Sequence, residues 1–227
     1  MKKLILTLSI AFLVLTVQFC GGRSFVTPYF YEEAGHHRTI AVLPYEMIFT
    51  GKQPKKLTRE QVEQIEEAES LAFQDSFYQM LFTQCTKRRH PVLIEVQPVR
   101  RTNRILEDNG ITIRASWYMA PERLARILGV DAIVKTRIEK RRFMSGLASF
   151  GIELGGNILN ELLDDLPVAL FLRAPTNAIK AECSLYNGRD GSTLWGIDLV
   201  DDTDWRLQAN DIIHHINHYF ARKFPYR

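Results

Sequence analysis

The amino-acid sequence predicts an α/β fold (α+β) in which helices flank a mixed β-sheet as a two-layer or three-layer sandwich. Three observations support this fold class. Residues 121–139 combine a helical pattern that stops at a glycine with a strand pattern of period two. Residues 38–44 form an apolar run that ends at a proline, which is typical of a short buried strand. Residues 178–222 predict a C-terminal β-hairpin, with Lys180 and Glu182 on the polar side of its first strand, followed by a helix capped by residues 201–203.

The first twenty residues indicate where the chain is located. Lys2-Lys3 is a positive start, and residues 4–17 are an apolar run shorter than the roughly 20 residues that a membrane span needs. Cys20 closes this run. The pattern resembles a bacterial lipoprotein signal, in which the signal peptide (residues 1–19) is removed and the cysteine is acylated. An uncleaved membrane anchor is the alternative, and both place the bulk of the chain outside the cytoplasm.

The residues around the cysteine also predict which membrane holds the protein. Gly21 follows Cys20, and the lack of an aspartate there implies, by resemblance to known sorting rules, release from the inner membrane. The expected location is the outer membrane, with the domain in the periplasm. Residues 20–37 lack periodicity and are expected to be a lipid-anchored tether, whereas residues 38–227 are expected to form a single domain.

A long helix is predicted to follow the first strand. Thr58 and Gln61 match a capping box, and the helical pattern continues to about residue 84. Apolar side chains gather at helical spacing in its second half, which indicates a face packed on the core: Phe73, Phe77, Met80 and Leu81.

The middle of the chain predicts shorter elements. A second strand is expected over residues 91–96 and a short helix over residues 102–109, which ends at Gly110. Trp117 and Tyr118 are assigned to a linker.

The helix–strand unit that follows is the clearest signal in the chain. Pro121 suits the first helical position and Gly129 supplies a left-handed stop. The strand after it is expected to bury Val134, Thr136 and Ile138 and to expose Lys135, Arg137 and Glu139.

Residues 143–175 interrupt this pattern with an apolar insertion rich in small residues. Gly151 and Gly155 are four residues apart, so on a helix they share one side and permit close backbone approach. Acidic residues within the insertion argue against a full membrane span. A surface for oligomer or membrane contact and an inserted core hairpin are the two alternatives. The predicted interface consists of Leu147, Phe150, Gly151, Leu154, Gly155 and Ile158.

Composition and motifs give no support for catalysis or for nucleic-acid binding. Two of the 29 basic residues belong to the leader, and 26 acidic residues nearly balance the others. The sequence contains neither a phosphate-binding glycine loop nor a Gly-x-Ser-x-Gly elbow. We therefore expect no enzyme, no cofactor and no small-molecule substrate.

Histidines of the last helix offer one alternative. His214 and His218 are one turn apart, as in a two-histidine zinc pair, but the acidic residue of such a motif is missing between them. A third ligand could come from His36-His37 or His90. A solvated helix face is the main interpretation, no metal is predicted, and a zinc-dependent hydrolase is the alternative.

Two cysteines remain if Cys20 carries lipid. Cys85 and Cys183 could form a disulfide outside the cytoplasm. Two buried, inert thiols are the favoured interpretation.

Three local motifs in order carry a family resemblance. They are Arg38-Thr-Ile-Ala-Val-Leu-Pro44, Leu128-Gly-Val-Asp-Ala-Ile-Val134 and the hairpin over residues 184–195, which ends in Gly-Ser-Thr-Leu-Trp195. Over about residues 38–222 the chain resembles bacterial envelope lipoproteins related to the curli secretion component CsgG and to the N-terminal domain of the Tol-system propeller protein.

The resemblance implies an α/β sandwich attached to the outer membrane by lipid, with a role in envelope assembly or secretion. Its expected partners are further copies of the chain and other cell-envelope proteins, not nucleic acid. In the curli channel, insertions in this fold form membrane-spanning hairpins. Residues 143–172 lack the strict alternation of such hairpins, so a helical interface is preferred. The predicted function is an assembly, scaffold or secretion-accessory subunit, with a secretion-channel subunit as the alternative.

Overall fold

The computed structural model describes residues 24–51, 58–86, 94–140, 179–201 and 209–226. The strands are β1 (Ser24–Val26), β2 (Thr39–Val42), β3 (Glu46–Phe49), β4 (Glu95–Val96), β5 (Ala132–Lys140), β6 (Ile179–Asn187) and β7 (Thr193–Asp201). The helices are α1 (Phe30–Ala34), α2 (Arg59–Thr86), α3 (Val99–Asp108), α4 (Ile113–Tyr118), α5 (Pro121–Leu128) and α6 (Ala209–Lys223).

The seven strands form one mixed sheet, six of them in the order β1-β7-β6-β5-β2-β4 and β3 paired with β5 beside this path. Strands β2 and β3 both run parallel to β5 and pair with it one after the other, Ile40 opposite Ala132 and Glu46 opposite Arg137. Pro44 lies between β2 and β3, where its missing N–H cannot join the ladder. Strands β5, β6, β7 and β1 pair antiparallel. The predicted mixed α/β fold with a C-terminal hairpin and helix is confirmed.

Helices cover the two sheet faces unequally. Ile40 and Val42 face the larger core, which also contains buried side chains of α2 and α6. Ala41 and Leu43 face a smaller core that is completed by α3 and α5. The fold therefore has three layers around β2 and the start of β5. The second face of β3, of β5 from Lys135 to Glu139, of β6 and of β7 is exposed or half-buried except near Asn187 and Gly196, and we call it the open face.

The helix–strand unit has the predicted construction. Pro121 occupies the first turn of α5, and Gly129 ends the helix with a φ of 67°. Asp131, the aspartate of the Leu128–Val134 motif, stabilises the fold. Its Oδ2 accepts hydrogen bonds from the backbone N–H groups of Arg38 (2.8 Å) and Thr39 (2.9 Å). The carboxylate thus fixes the start of β2 beside the start of β5.

Asp131→Ala is expected to lower the free energy of unfolding by about 1–3 kcal/mol, because two N–H groups at the start of β2 lose a charged acceptor. Asp131→Asn keeps an oxygen acceptor and should retain most of the stability. Urea unfolding followed by circular dichroism measures both changes. Equal losses in the two variants would contradict this role.

Helix α2 also matches its sequence prediction. Thr58 N–H donates to Gln61 Oε1 (2.8 Å) and Gln61 N–H donates to Thr58 Oγ1 (3.2 Å), which is a complete capping box. Phe73, Phe77 and Leu81 are buried, and Met80 packs against the same core.

The segment from Ser24 to His37, expected to belong to the tether, contains two elements of the fold. Strand β1 pairs with β7, and Phe30 in α1 is buried with its ring centroid 5.4 Å from that of Tyr226. Elements of three and five residues are too short to show a sequence period, so they did not appear in the pattern. Strand β3 was missed for the same reason.

The predicted linker around Trp117 and Tyr118 is helix α4. Thr112 caps this helix by accepting a hydrogen bond from the Ala115 N–H at 3.1 Å. Trp117 is buried, and the guanidinium of Arg114 lies 5.0 Å from its ring centroid. The cap and the aromatic contact stabilise a helix of only six residues.

Several predicted features fall outside the described residues. They include the signal peptide, the six interface residues of the insertion and residues 202–203 of the predicted cap at residues 201–203. Among the helices that are described, none is both long enough and apolar enough to cross a membrane.

Candidate functional site on the insertion root and the open sheet face

The connection between β5 and β6 is the first feature of the site. These strands are antiparallel neighbours, paired up to Glu139 opposite Lys180. A hairpin of this kind normally closes with two to five residues. Here residues 141–178 leave and return at this position, so the chain carries an insertion in a β-hairpin. The predicted interface residues, from Leu147 to Ile158, belong to this insertion and lie outside the described residues.

A buried ion pair anchors the insertion root. The ammonium of Lys140, the last residue of β5, meets the Glu69 carboxylate of α2, and both side chains are at most 1% exposed. Burial lowers the pKa of Lys140 to about 7, against the raising effect of nearby Glu66. Arg114 also pairs with Glu66. The strand end from which the insertion departs is therefore tied to α2 by charge.

Charged side chains cross the open face in rows. Strand pairing places Glu46, Arg137, Glu182 and Asp198 side by side in one row, and Glu139 and Lys180 in the next. Ion pairs link the rows along the strands, from Arg137 Nη2 to Glu139 Oε1 (2.9 Å) and from Lys180 Nζ to Glu182 Oε1 (2.5 Å). The open face therefore presents positively and negatively charged side chains in a regular arrangement.

A cleft of about 340 Å³ lies between the open face and the link from α4 to α5. Lys135 contributes to its wall, together with Glu46, Arg137, Glu182 and Tyr186. Lys135 Nζ donates to the carbonyl oxygens of Trp117 (2.7 Å) and Met119 (3.0 Å). Burial lowers the pKa of Lys135, and Glu46 opposes this shift. The Lys135 amine therefore holds the end of α4 in place through hydrogen bonds to these backbone carbonyls.

A second depression, of about 460 Å³, lies between α2 and the turn from α3 to α4. Its apolar lining includes Leu71, Leu106, Ile111 and Ile113, with Glu67 and Glu107 beside them. Burial raises the pKa of Glu67, and Arg114 opposes the shift.

Cys183 is a free, buried thiol on β6, as the favoured interpretation expected. Its Sγ accepts a hydrogen bond from Thr136 Oγ1 at 3.4 Å, and burial raises its pKa to about 12. A thiol with this pKa is protonated at neutral pH and is therefore a poor nucleophile. The side chain of Cys85 lies outside the described residues.

Cys183 should not react with a thiol reagent at pH 8 until the protein unfolds, which a Cys85→Ser variant tests without interference. Above pH 9 the unfolded thiol ionises while the folded thiol keeps its proton, so stability falls as pH rises from 9 to about 12. The share of the slope due to Cys183 is at most about 1.4 kcal/mol per pH unit. Cys183→Ala should remove that share, and an unchanged slope would contradict the assignment.

The described histidines lie in two kinds of environment, exposed at the surface, as on α6, and buried beside Tyr226 near the C-terminus. His214 and His218 are exposed on α6, with ring centroids 5.9 Å apart. His37 is buried and its Nδ1 lies 2.5 Å from Tyr226 Oη, and burial lowers its pKa. Within the described ranges, three or more histidine, cysteine or acidic side chains nowhere converge as metal ligands would.

Sequence reasoning found half of the open face. The alternation in β5 and β6 predicted outward positions for Lys135, Arg137, Lys180 and Glu182, and the alternation is confirmed, with Arg137 and Lys180 exposed and Lys135 and Glu182 half-buried. It missed Glu46, because β3 was not predicted, and it could not reveal the pairing that aligns the rows.

The chain resembles several solved structures distantly. No protein-family model and no curated protein matches the chain. Similar solved structures include lipoprotein GNA1162 from Neisseria meningitidis, at 13% identity over 82% of this chain and 96% of that chain, with a TM-score of 0.45. A PelC dodecamer from Paraburkholderia phytofirmans matches at 9% identity over 88% and 94%, with a TM-score of 0.39. The LpoB C-terminal domain from Salmonella enterica matches at 11% identity over 74% and 84%, with a TM-score of 0.34. At TM-scores below 0.5 these likenesses carry no argument about function.

Proposed function

We propose that this chain is a lipid-anchored protein of the bacterial cell envelope that acts as an assembly, scaffold or secretion-accessory subunit. It works through protein contacts and not through catalysis. The observation that carries the proposal is the insertion of residues 141–178 between two strands that are already paired. Grouping with the curli-related lipoproteins stays a prediction.

The insertion is more chain than the sheet requires. A two-residue turn would join Lys140 to Ile179, whereas the sequence supplies an apolar segment with glycines at residues 151 and 155. Apolar segments of this size serve as contact surfaces when they are not part of a core. The glycine spacing favours close helix packing between copies.

The open face supplies specificity for such contacts. Ordered rows of both signs, such as Arg137 between Glu46 and Glu182, favour partners with the complementary pattern and oppose others by like-charge contact. Charged faces of this kind set the partner and the register more than the affinity.

The signal sequence determines the proposed location of the protein. Acylation of Cys20 would hold the fold at a membrane, and Gly21 in the next position favours the outer membrane with the domain in the periplasm. Intact-mass analysis of protein from membranes tests this directly: we expect a mature chain that begins at Cys20 and carries acyl groups. Cys20→Ala should retain the leader or leave the membrane fraction.

Crosslinking in intact cells tests the role of the insertion. A photo-crosslinker at Phe150 is expected to capture a second copy or another envelope protein. Gly151→Leu with Gly155→Leu should abolish this capture, because bulky side chains prevent close approach. Gly156→Leu is the matched control and should preserve it.

A strictly monomeric protein whose capture pattern is unchanged by the paired leucine variant would reject the insertion as an interface. Ion conductance by the purified oligomer in planar bilayers would replace the accessory role with the channel alternative.

A further inference from the structure

Exposed apolar side chains concentrate at the start of the described fold. Phe25, Val26, Tyr29 and Tyr31 are 54%, 46%, 68% and 80% exposed, and they account for four of the seven large apolar side chains that are exposed among the described residues. All four lie within seven positions of one another. We call these four residues the N-terminal apolar surface.

The surface stands on a fixed part of the fold. Strand β1, which carries Phe25 and Val26, pairs with β7 through three residues. The Phe25 ring lies over Gly196, which has no Cβ to obstruct it. Phe25 and Val26 leave opposite faces of the sheet at its edge, and the pairing with β7 holds both exposed side chains in place.

Helix α1 fixes the two tyrosines in the same way. Phe30, between Tyr29 and Tyr31, is 3% exposed and packs on Tyr226. Glu33 accepts hydrogen bonds from Arg189 Nη2 (2.6 Å) and Asn187 Nδ2 (3.0 Å), which tie the helix to the β6–β7 turn. The same ion pair balances the charge of Glu33.

The chain length to the anchor brings this surface close to the membrane. Three residues separate Cys20 from Ser24, and an extended chain covers at most about 3.6 Å per residue, so Ser24 lies within roughly 14 Å of Cys20. An acylated Cys20 is at the bilayer surface by its chemistry. An uncleaved anchor over residues 4–17 would place Cys20 at the same level.

We propose that the N-terminal apolar surface rests in the headgroup layer of the bilayer that holds Cys20. Tyrosine combines an apolar ring with a polar hydroxyl, and such side chains favour the membrane–water interface. The contact fixes the orientation of the domain relative to the membrane, so the domain does not rotate freely about its lipid anchor. The inference rests on the proposed function in taking Cys20 as the membrane anchor.

Quenching by lipid measures the contact in the full-length protein. Glu32 is exposed and directly follows Tyr31, so Glu32→Cys in a Cys85→Ser background takes an NBD fluorophore while all four apolar side chains stay intact. The protein is reconstituted in vesicles of phosphatidylethanolamine and phosphatidylglycerol that contain a headgroup-nitroxide lipid. Glu107→Cys is the matched control, because α3 follows β4 at the opposite edge of the sheet from β1.

We expect several-fold stronger quenching at residue 32 than at residue 107. Adding Tyr29→Ser and Tyr31→Ser should reduce the quenching at residue 32 to the control value while the circular dichroism spectrum stays unchanged. Equal quenching at the two positions would overturn the proposal, as would protection of residue 32 that grows with protein concentration, since that assigns the surface to a second copy.

Intact mass separates this outcome from failure of the proposed anchor. An acylated Cys20 with equal quenching rejects the apolar contact alone. Stronger quenching at residue 32 in a chain that retains its leader supports the contact and rejects lipidation.

Discussion

Lys140→Met is expected to lower the free energy of unfolding by about 3–5 kcal/mol, the cost of leaving one partner of a buried ion pair alone. Glu69 is fully buried on α2, and the Lys140→Met change removes the ammonium that pairs with its carboxylate in an apolar surrounding. For a domain of this size the melting temperature should fall by roughly 2–4 °C per kcal/mol. Chemical and thermal unfolding measure the two values.

The double variant Lys140→Met with Glu69→Leu separates pairing from packing. Removing both charges eliminates the uncompensated carboxylate, so the double variant should regain most of the lost stability. Lys180→Met is the surface control, because the Lys180 side chain is 49% exposed in its pair with Glu182, and it should change stability by less than about 1 kcal/mol. A single variant as stable as this control would contradict the role of the buried pair.

The well-predicted elements are those in which one local rule is repeated several times. Strand β5 alternates over nine residues, and α5 has a proline at its start and a left-handed glycine at its end. The capping box of Thr58 and Gln61 is likewise a local signal. Because these features depend on neighbours in the chain, they can be recognised before any tertiary contact is known.

The missed elements depend on distant contacts. Strand β1 has three residues and exists through its pairing with β7, some 170 positions away. Helix α4 is held by Lys135, which donates to the Trp117 carbonyl, and by the ion pair of Arg114 with Glu66 on α2. Such elements have too few residues for a period, so their partners must be known first.

The candidate site divides in the same way. Alternation predicted which β5 and β6 side chains face outward, but only register places Arg137 between Glu46 and Glu182. The buried partner of Lys140 could not be foreseen, because the predicted strand ended at Glu139 and Glu69 lies on a different element. Likewise, the aromatic residues near Cys20 can be read from the sequence, whereas the pairing of β1 with β7 and the packing of α1, which hold them in place, cannot.

Replacing residues 141–178 by Asn-Gly is expected to leave a folded domain that no longer assembles. Glu139 pairs with Lys180, so the same register places Lys140 opposite Ile179, and Asn-Gly is the turn that such a two-residue hairpin prefers. A shorter connection also costs less loop-closure entropy, so the free energy of unfolding should be unchanged or higher by up to about 2–3 kcal/mol.

Assembly is the readout that distinguishes function from folding in this variant. Sedimentation should show the intact chain as an oligomer or partner complex and the shortened chain as a monomer, with both carrying the same lipid on Cys20. Loss of folding would instead make residues 141–178 part of the core, which was the alternative for this segment. Retained assembly would move the interface to the open face, where Arg137→Glu, which reverses the central charge between Glu46 and Glu182, should then disrupt it.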